Sequence, residues 1–183
     1  HNNLGYAYSL TGNYELSLDH YYQGLAILEP LCQNDSLSSA LVKYGSKTPD
    51  QFLAMLYGYI AEIHVKIGNF NDGIKNYSRA LFYAEKDSNK FYYASYLNDL
   101  AKLYTEIQDY DNALKYCKLA IETNKGIDNQ LGIGINYQTL GEIYARKDKI
   151  ENAEIYLNKG LEIIEQAEDM PSIANALFSK IRI

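Results

Sequence analysis

Histidine and cysteine are the residue types in this sequence best suited to catalysis or metal binding, and both are rare. The 183 residues include three histidines and two cysteines. His1, His20 and His64 share no spacing that would join them to Cys32 or Cys117 as metal ligands. A catalytic centre also needs a nucleophile, a base and a group that orients them, and no such set is apparent. We therefore expect no catalytic residues, no metal site and no cofactor.

A glycine-rich stretch at residues 68–75 (GNFNDGIK) has the outline of a phosphate-binding loop. Its lysine does not directly follow the second glycine, and no strand pattern precedes it. Residues 12–14 (GNY) have the same order of glycine, amide and aromatic residue as residues 68–70 (GNF). The stretch is better interpreted as a turn that recurs along the chain.

The recurrence extends well beyond the turns. The clearest copy is residues 97–122 (LNDLAKLYTEIQDYDNALKYCKLAIE), and similar stretches occupy residues 1–26, 57–82 and 137–162. Each copy has a small residue, a ring three positions later, a bulky residue at the turn and a second small residue. In chain order, the first small residues are Gly5, Ala61, Ala101 and Gly141, and the rings are Tyr8, His64, Tyr104 and Tyr144. The bulky turn residues are Tyr14, Phe70, Tyr110 and Ile150, and the second small residues are Ser17, Gly73, Ala113 and Ala153.

This spacing resembles the tetratricopeptide repeat (TPR) family, whose unit is a pair of antiparallel helices. The resemblance implies an all-α fold, a TPR-like superhelix of stacked antiparallel helix pairs (an α-solenoid). It also implies a right-handed superhelix whose first helices line a concave surface. One pair cannot bury both of its apolar faces, so neighbouring pairs must stack to form a core. The period of 40 residues exceeds the usual thirty-four, which indicates a long-repeat variety.

We expect a single domain over residues 1–183 with four repeats and a terminal helix. An insert at 31–47 is interpreted as a short helix of its own, which is either a partner-specific element or a tolerated insertion. The terminal helix is either a solvating cap or the first helix of a fifth repeat. The boundaries are 1–30 for repeat 1, 48–88 for repeat 2, 89–127 for repeat 3, 128–169 for repeat 4 and 171–183 for the terminal helix.

Turn residues predict where the helices begin and end. Residues 48–51 (TPDQ) have a capping-box pattern with proline at the first helical position. Gly12 and Gly68 can adopt the left-handed conformation that ends a helix. The helix that follows Gly12 is expected to end near Pro30. Glutamine tolerates positive φ less well than glycine or aspartate, so we expect a different backbone geometry at Gln108.

Charge and hydropathy exclude several classes of function. The chain has 17 Lys and Arg against 23 Asp and Glu, a net charge of -6, so it offers no positive field to a nucleic acid. No apolar run is long enough to cross a bilayer, and no leader sequence opens the chain. We expect a soluble, cytoplasmic fragment, with Cys117 as a buried thiol rather than half of a disulfide.

The resemblance implies that certain first-helix residues face the concave surface and contact a protein or an extended peptide. Amide side chains suit this role because they both donate and accept along a peptide backbone. The basic clamp with which some TPR domains hold chaperone C-termini is absent, so that role is disfavoured. The expected partner-binding residues are Asn2, Asn3, Tyr6, Tyr59, Glu62, Lys66, Asn98, Asp99, Lys102, Glu106, Gln138, Thr139, Glu142 and Arg146.

The sequence therefore predicts a non-enzymatic protein- or peptide-binding scaffold that uses the concave face of a TPR array. The alternative is the ligand- or peptide-sensing module of a larger bacterial signalling or transcriptional regulator, whose output domain lies outside this segment. An adjoining DNA-binding or cyclase sequence would favour the alternative.

Overall fold

The computed structural model describes residues 2–32 and 48–181, and these residues are helical apart from the short turns and caps at the helix ends. The all-α prediction is confirmed for this part of the chain. Of the predicted insert at 31–47, only the first two residues are described, and they belong to a helix; the short helix predicted in the insert lies outside the described residues. The helices are α1 (Asn2–Leu10), α2 (Tyr14–Cys32), α3 (Pro49–Lys66), α4 (Phe70–Lys86), α5 (Lys90–Glu106), α6 (Tyr110–Gly126), α7 (Gln130–Arg146), α8 (Ile150–Gln166) and α9 (Met170–Ile181).

The chain forms two compact units, His1–Tyr92 and Tyr93–Ile183. Unit 1 contains α1–α4, and unit 2 contains most of α5 together with α6–α9. Within unit 1, α1 packs against α2, α2 against α3 and α3 against α4; within unit 2, α6 packs against α7, α7 against α8 and α8 against α9. Packing between neighbours in sequence is the arrangement expected of stacked helix pairs.

The small residues of the repeat lie where two helices meet. All eight are buried. At Gly141, a Cβ atom would lie 2.6 Å from Cγ of Leu157 and 3.1 Å from the carbonyl oxygen of Ala153, so glycine permits the close approach of α7 and α8. In the first pair, Ser17 donates a hydrogen bond of 2.6 Å to the carbonyl oxygen of Gly5. The small positions are therefore explained by helix packing.

A buried cluster in unit 2 is built around these contacts. It joins Ala101 of α5 to Ala113 and Cys117 of α6 and to apolar residues of α7. Cys117 is fully buried, as predicted, and its Sγ donates to the carbonyl oxygen of Asn136 at 3.3 Å. The ring of Tyr104 is only half-buried and stacks on Tyr116 with centroids 5.4 Å apart. This ring therefore covers the edge of the cluster.

The turns are more uniform than the sequence predicts. Gln108 has a φ of 63°, close to those of Gly12 (76°) and Gly68 (78°), so the prediction of a different geometry at Gln108 is wrong. Its amide bonds to the carbonyl oxygen of Thr105, and the next amide bonds to that of Tyr104, which satisfies the helix end. The same conformation recurs every twenty residues at Ser88, Gln108, Asp128, Asp148 and Glu168.

The start of α3 is capped as the sequence predicts, whereas α2 continues through its proline. Thr48 caps α3 by accepting a hydrogen bond of 3.0 Å from the amide of Gln51, with Pro49 at the first helical position, which confirms the predicted start. Pro30 lies inside α2, which continues to Cys32. The helix therefore extends past the end predicted near Pro30, as far as the last residue described before the gap.

Three weakly acidic side chains, two tyrosines and one cysteine, are buried in the fold. Burial raises the pKa of Tyr21, Tyr57 and Cys117 to about 12 each. The unfolded chain loses these protons at about pH 8.5–10. Above that range the unfolded state binds fewer protons than the folded state, so stability falls with rising pH.

We expect the free energy of unfolding to be insensitive to these groups at neutral pH and to decrease as the pH rises from about 9 to about 12. Urea titrations at a series of pH values will measure this. The Tyr57→Phe variant lacks one of the three protons, and its stability should fall less steeply. Identical slopes for the variant and the natural chain would contradict the assignment.

Candidate functional site

Five of the predicted partner-binding residues line one cavity in unit 2. This cavity has a volume of about 340 Å³, and we call it the charged cavity. Its wall residues lie on α5, α7, α8 and α9. Its wall is formed by Lys102, Thr105, Glu106, Thr139, Glu142, Ala145, Arg146, Leu157 and Ser179.

The charges of this cavity are largely compensated. Arg146 contacts Glu106 with Nη2 and Oε1 3.0 Å apart, and both side chains are about half-exposed, so the pair contributes little to stability. Glu142 accepts a hydrogen bond of 2.6 Å from Oγ of Ser179, which links α7 to α9. Lys102 is exposed and forms no ion pair within the described residues. Its ammonium group is therefore available to a partner.

A second cavity lies alongside, between α7 and α9, and has a volume of about 390 Å³. We call it the α7–α9 cleft. It shares Lys102, Thr139, Glu142 and Ser179 with the charged cavity. Its remaining wall is formed by Ile135, Gln138, Ile164, Ser172, Asn175, Ala176 and Phe178. The hydrogen bond between Glu142 and Ser179 therefore lies where the two cavities adjoin.

Three predicted residues of unit 2 are buried rather than exposed in a groove. Asn98 is 5% exposed, Gln138 7% and Thr139 2%. The amide nitrogen of Gln138 donates to the carbonyl oxygen of Leu157 at 2.7 Å, whereas its Oε1 is buried without a partner in the described structure. Oδ1 of Asn98 is likewise buried and unpartnered. Of the remaining predicted residues, Asp99 is half-buried.

Four of the six predicted residues of unit 1 line a smaller cavity within that unit. Tyr6, Tyr59, Glu62 and Lys66 line a cavity of about 230 Å³. Lys66 and Glu62 are 2.7 Å apart, one helical turn from each other, and the rings of Tyr6 and Tyr59 lie 6.3 Å apart. Two further predicted residues are on α1: Asn2 is half-buried and Asn3 is exposed.

Unit 1 also contains a polar and aromatic cluster that sequence reasoning missed. Tyr57 is 2% exposed and bonds through its hydroxyl to Glu29 and, at 2.7 Å, to Nη1 of Arg79. Its ring stacks on Tyr83 with centroids 5.6 Å apart. The sequence signal that could have indicated the cluster is the presence of an acidic residue, Glu29, on α2 and a basic residue, Arg79, on α4.

The described residues contain few other side chains that could take part in catalysis or metal binding. His64 is buried, and its Nε2 lies 3.2 Å from the hydroxyl of Tyr22. No three or more His, Cys, Asp or Glu side chains in the described ranges are close enough to hold a metal ion. None of the helices described is long and apolar enough to span a membrane.

Family models of the tetratricopeptide repeat match residues 52–125, 92–166 and 2–36, which together cover more than half of the chain. Among curated proteins, no sequence matches. The crystal structure of BtubC (BKLC) from P. vanneervenii is similar, with a TM-score of 0.63 and 17% identity over 97% of this chain and 74% of that chain.

Two crystal structures of MamA are similar as well. One has a TM-score of 0.51 and 19% identity, and covers 90% of this chain and 96% of that chain. The other has a TM-score of 0.50 and 18% identity, and covers 92% of each chain. At these identities the likeness supports a common fold and no more.

Proposed function

This chain belongs to the tetratricopeptide repeat family, and on that premise we propose that it is a non-enzymatic module that binds peptide segments of a partner protein through unit 2. The supporting observation is the charged cavity, because five residues that the family resemblance assigns to partner binding, from two different helices, line it together. Repeats of this family act as protein-interaction scaffolds, in which the residues that differ between copies are free to recognise a partner.

The chemistry of the cavity fits a peptide better than a strongly charged ligand. Glu106 and Arg146 compensate each other, and Lys102 and Glu142 carry opposite charges. A ligand of high charge would gain little from such a wall. A peptide, whose backbone and side chains offer donors, acceptors and isolated charges, would find a partner for each.

A random twelve-residue peptide library displayed on phage provides the test. The most enriched peptide, labelled with fluorescein, would be titrated with the chain and with the Lys102→Ala, Glu142→Ala double variant. We expect the double variant to bind at least about tenfold more weakly, because both residues border both cavities. Fluorescence anisotropy measures the affinity, and circular dichroism verifies that the helices are retained.

The matched control is the double variant Lys118→Ala, Glu122→Ala. It removes the same two kinds of charge from exposed positions on α6 that line neither cavity. Its affinity should stay within about twofold of the natural chain. An absence of any enriched peptide, or equal binding by the Lys102→Ala, Glu142→Ala double variant and the natural chain, would refute the proposed function.

A further inference from the structure

A groove on the second helices of unit 1 has no part in the proposed function. It lies between α2 and α4, includes Tyr57 of α3, and has a volume of about 360 Å³. We call it the α2–α4 groove. The family resemblance assigns partner binding to the first helices, so it does not predict a site here. The groove is lined by four charged side chains, Glu29, Asp72, Lys75 and Arg79.

The two carboxylates of the groove are already bonded within the chain. Glu29 accepts a hydrogen bond from the hydroxyl of Tyr57 and lies 3.9 Å from Nη1 of Arg79. Asp72 accepts a hydrogen bond of 2.7 Å from the side-chain amide of Asn69. Each bond uses part of the capacity of the carboxylate to accept further donors. The acidic side of the groove is therefore largely satisfied without a ligand.

The two basic side chains lie one helical turn apart on α4 and have unused donors. Lys75 is exposed, and its ammonium group forms no hydrogen bond or ion pair with the described residues. Arg79 donates one hydrogen bond of 2.7 Å, from Nη1 to the hydroxyl of Tyr57. A guanidinium group has five N–H donors, so most of them stay unpaired in the described part of the chain. The groups that lack partners in the groove are therefore positively charged donors.

The guanidinium of Arg79 is also fixed in position. Its Cζ atom lies 5.2 Å from the centre of the buried Tyr57 ring, in addition to the hydrogen bond with the hydroxyl of that ring. On the α2 side, Ala26 is exposed and has only a short side chain, so the groove is not filled at this point. A charged donor that is already oriented loses little conformational freedom when it binds a ligand.

We infer that the α2–α4 groove binds an acidic segment of a partner protein, in which an aspartate or glutamate carboxylate contacts Lys75 and Arg79. A carboxylate accepts several hydrogen bonds at once, and the planar guanidinium group matches its geometry. A single carboxylate suits this wall better than a polyanion, because Glu29 and Asp72 would repel further negative charges. This inference goes beyond the proposed function, since it concerns a different unit and different residues.

The test is a phage selection that avoids the charged cavity. A random twelve-residue library is first depleted on a chain with alanine at Lys75, Arg79, Lys102 and Glu142, and is then selected on a chain with alanine at Lys102 and Glu142 only. We expect the recovered peptides to be enriched in Asp and Glu. The most enriched peptide, labelled with fluorescein, should bind the Lys75→Ala, Arg79→Ala double variant at least about tenfold more weakly than the natural chain.

Two further variants give the comparison its controls. The Lys118→Ala, Lys125→Ala double variant removes two exposed lysines of α6 that do not line the groove, so its affinity should stay within about twofold of the natural chain. The Glu29→Gln variant removes the negative charge beside Arg79 and should bind the acidic peptide about threefold more tightly. Fluorescence anisotropy measures each affinity, and circular dichroism verifies that the helices are retained.

The single variant Lys75→Ala keeps the result independent of folding, because its ammonium group contacts no other described side chain. It should weaken binding of the acidic peptide by about threefold. A selection that recovers no peptide, peptides without enrichment in Asp and Glu, or acidic peptides that the Lys75→Ala variant binds as tightly as the natural chain would overturn the inference. None of these outcomes bears on the proposed function, which is tested through Lys102 and Glu142.

Discussion

Replacing Tyr57 by alanine is expected to lower the free energy of unfolding by about 3–5 kcal/mol, the cost of removing a large buried ring. The ring is 2% exposed and stacks on Tyr83, and the guanidinium of Arg79 lies 5.2 Å from its centre. The Tyr57→Phe variant keeps the ring and loses only the hydrogen bonds to Glu29 and Arg79. Because both partners are about half-exposed and can bond to water, this variant should lose only about 1 kcal/mol.

Urea titrations followed by circular dichroism will measure both values. Phe82→Ala is the matched control, because it removes an aromatic side chain that is 61% exposed on α4. Its cost should stay below about 1 kcal/mol. Equal losses for Tyr57→Phe and Tyr57→Ala would show that the hydroxyl network, and not burial of the ring, stabilises this part of unit 1.

Replacing Gly160 by alanine is expected to lower the free energy of unfolding by about 1–3 kcal/mol, although alanine has the higher helix propensity. The added Cβ would lie 2.8 Å from the carbonyl oxygen of Gly134 and 3.0 Å from the backbone nitrogen of Gln138. These backbone atoms belong to α7 and cannot move aside as a flexible side chain could. The helices α7 and α8 would therefore have to separate.

Gly126→Ala is the control for this prediction. Gly126 is also a helical glycine, at the end of α6, but a Cβ atom there would meet nothing within 4 Å. The change should be neutral or should stabilise the chain by up to about 1 kcal/mol. Thermal and urea unfolding will compare the two variants. If the Gly160→Ala variant were as stable as the Gly126→Ala variant, the close contact described between α7 and α8 would be refuted.

The repeat and its phase could be predicted from sequence because close helix contacts require small residues. Gly141 and Ala153 meet the same need as Ala101 and Ala113, forty residues earlier, so the pattern is visible without a structure. The turn at Gln108 could not be predicted in this way. A rule for a single residue considers the strain of positive φ, whereas two hydrogen bonds from the turn to the last helical turn hold that conformation.

The candidate site was predictable only in part. The family resemblance places Lys102, Glu106, Glu142 and Arg146 on one predicted surface, and these four side chains line the charged cavity of unit 2. It does not predict that Gln138 is buried, since its burial depends on Leu157 and on the absence of a side chain at Gly160, both on another helix. The cluster around Tyr57 was missed for a similar reason, because its partners are 28 and 22 residues away on two other helices.

The turns at intervals of twenty residues have a consequence for how such a chain can vary in length. The helices α4–α8 each have 17 residues, and each is followed by a turn with a left-handed residue at the same place, from Ser88 to Glu168. The turn inside a helix pair is therefore interchangeable with the turn between pairs. A gene duplication or deletion of forty codons between any two equivalent turns would join backbone of matching geometry. The chain is built so that recombination can change the number of repeats without requiring a new type of connection.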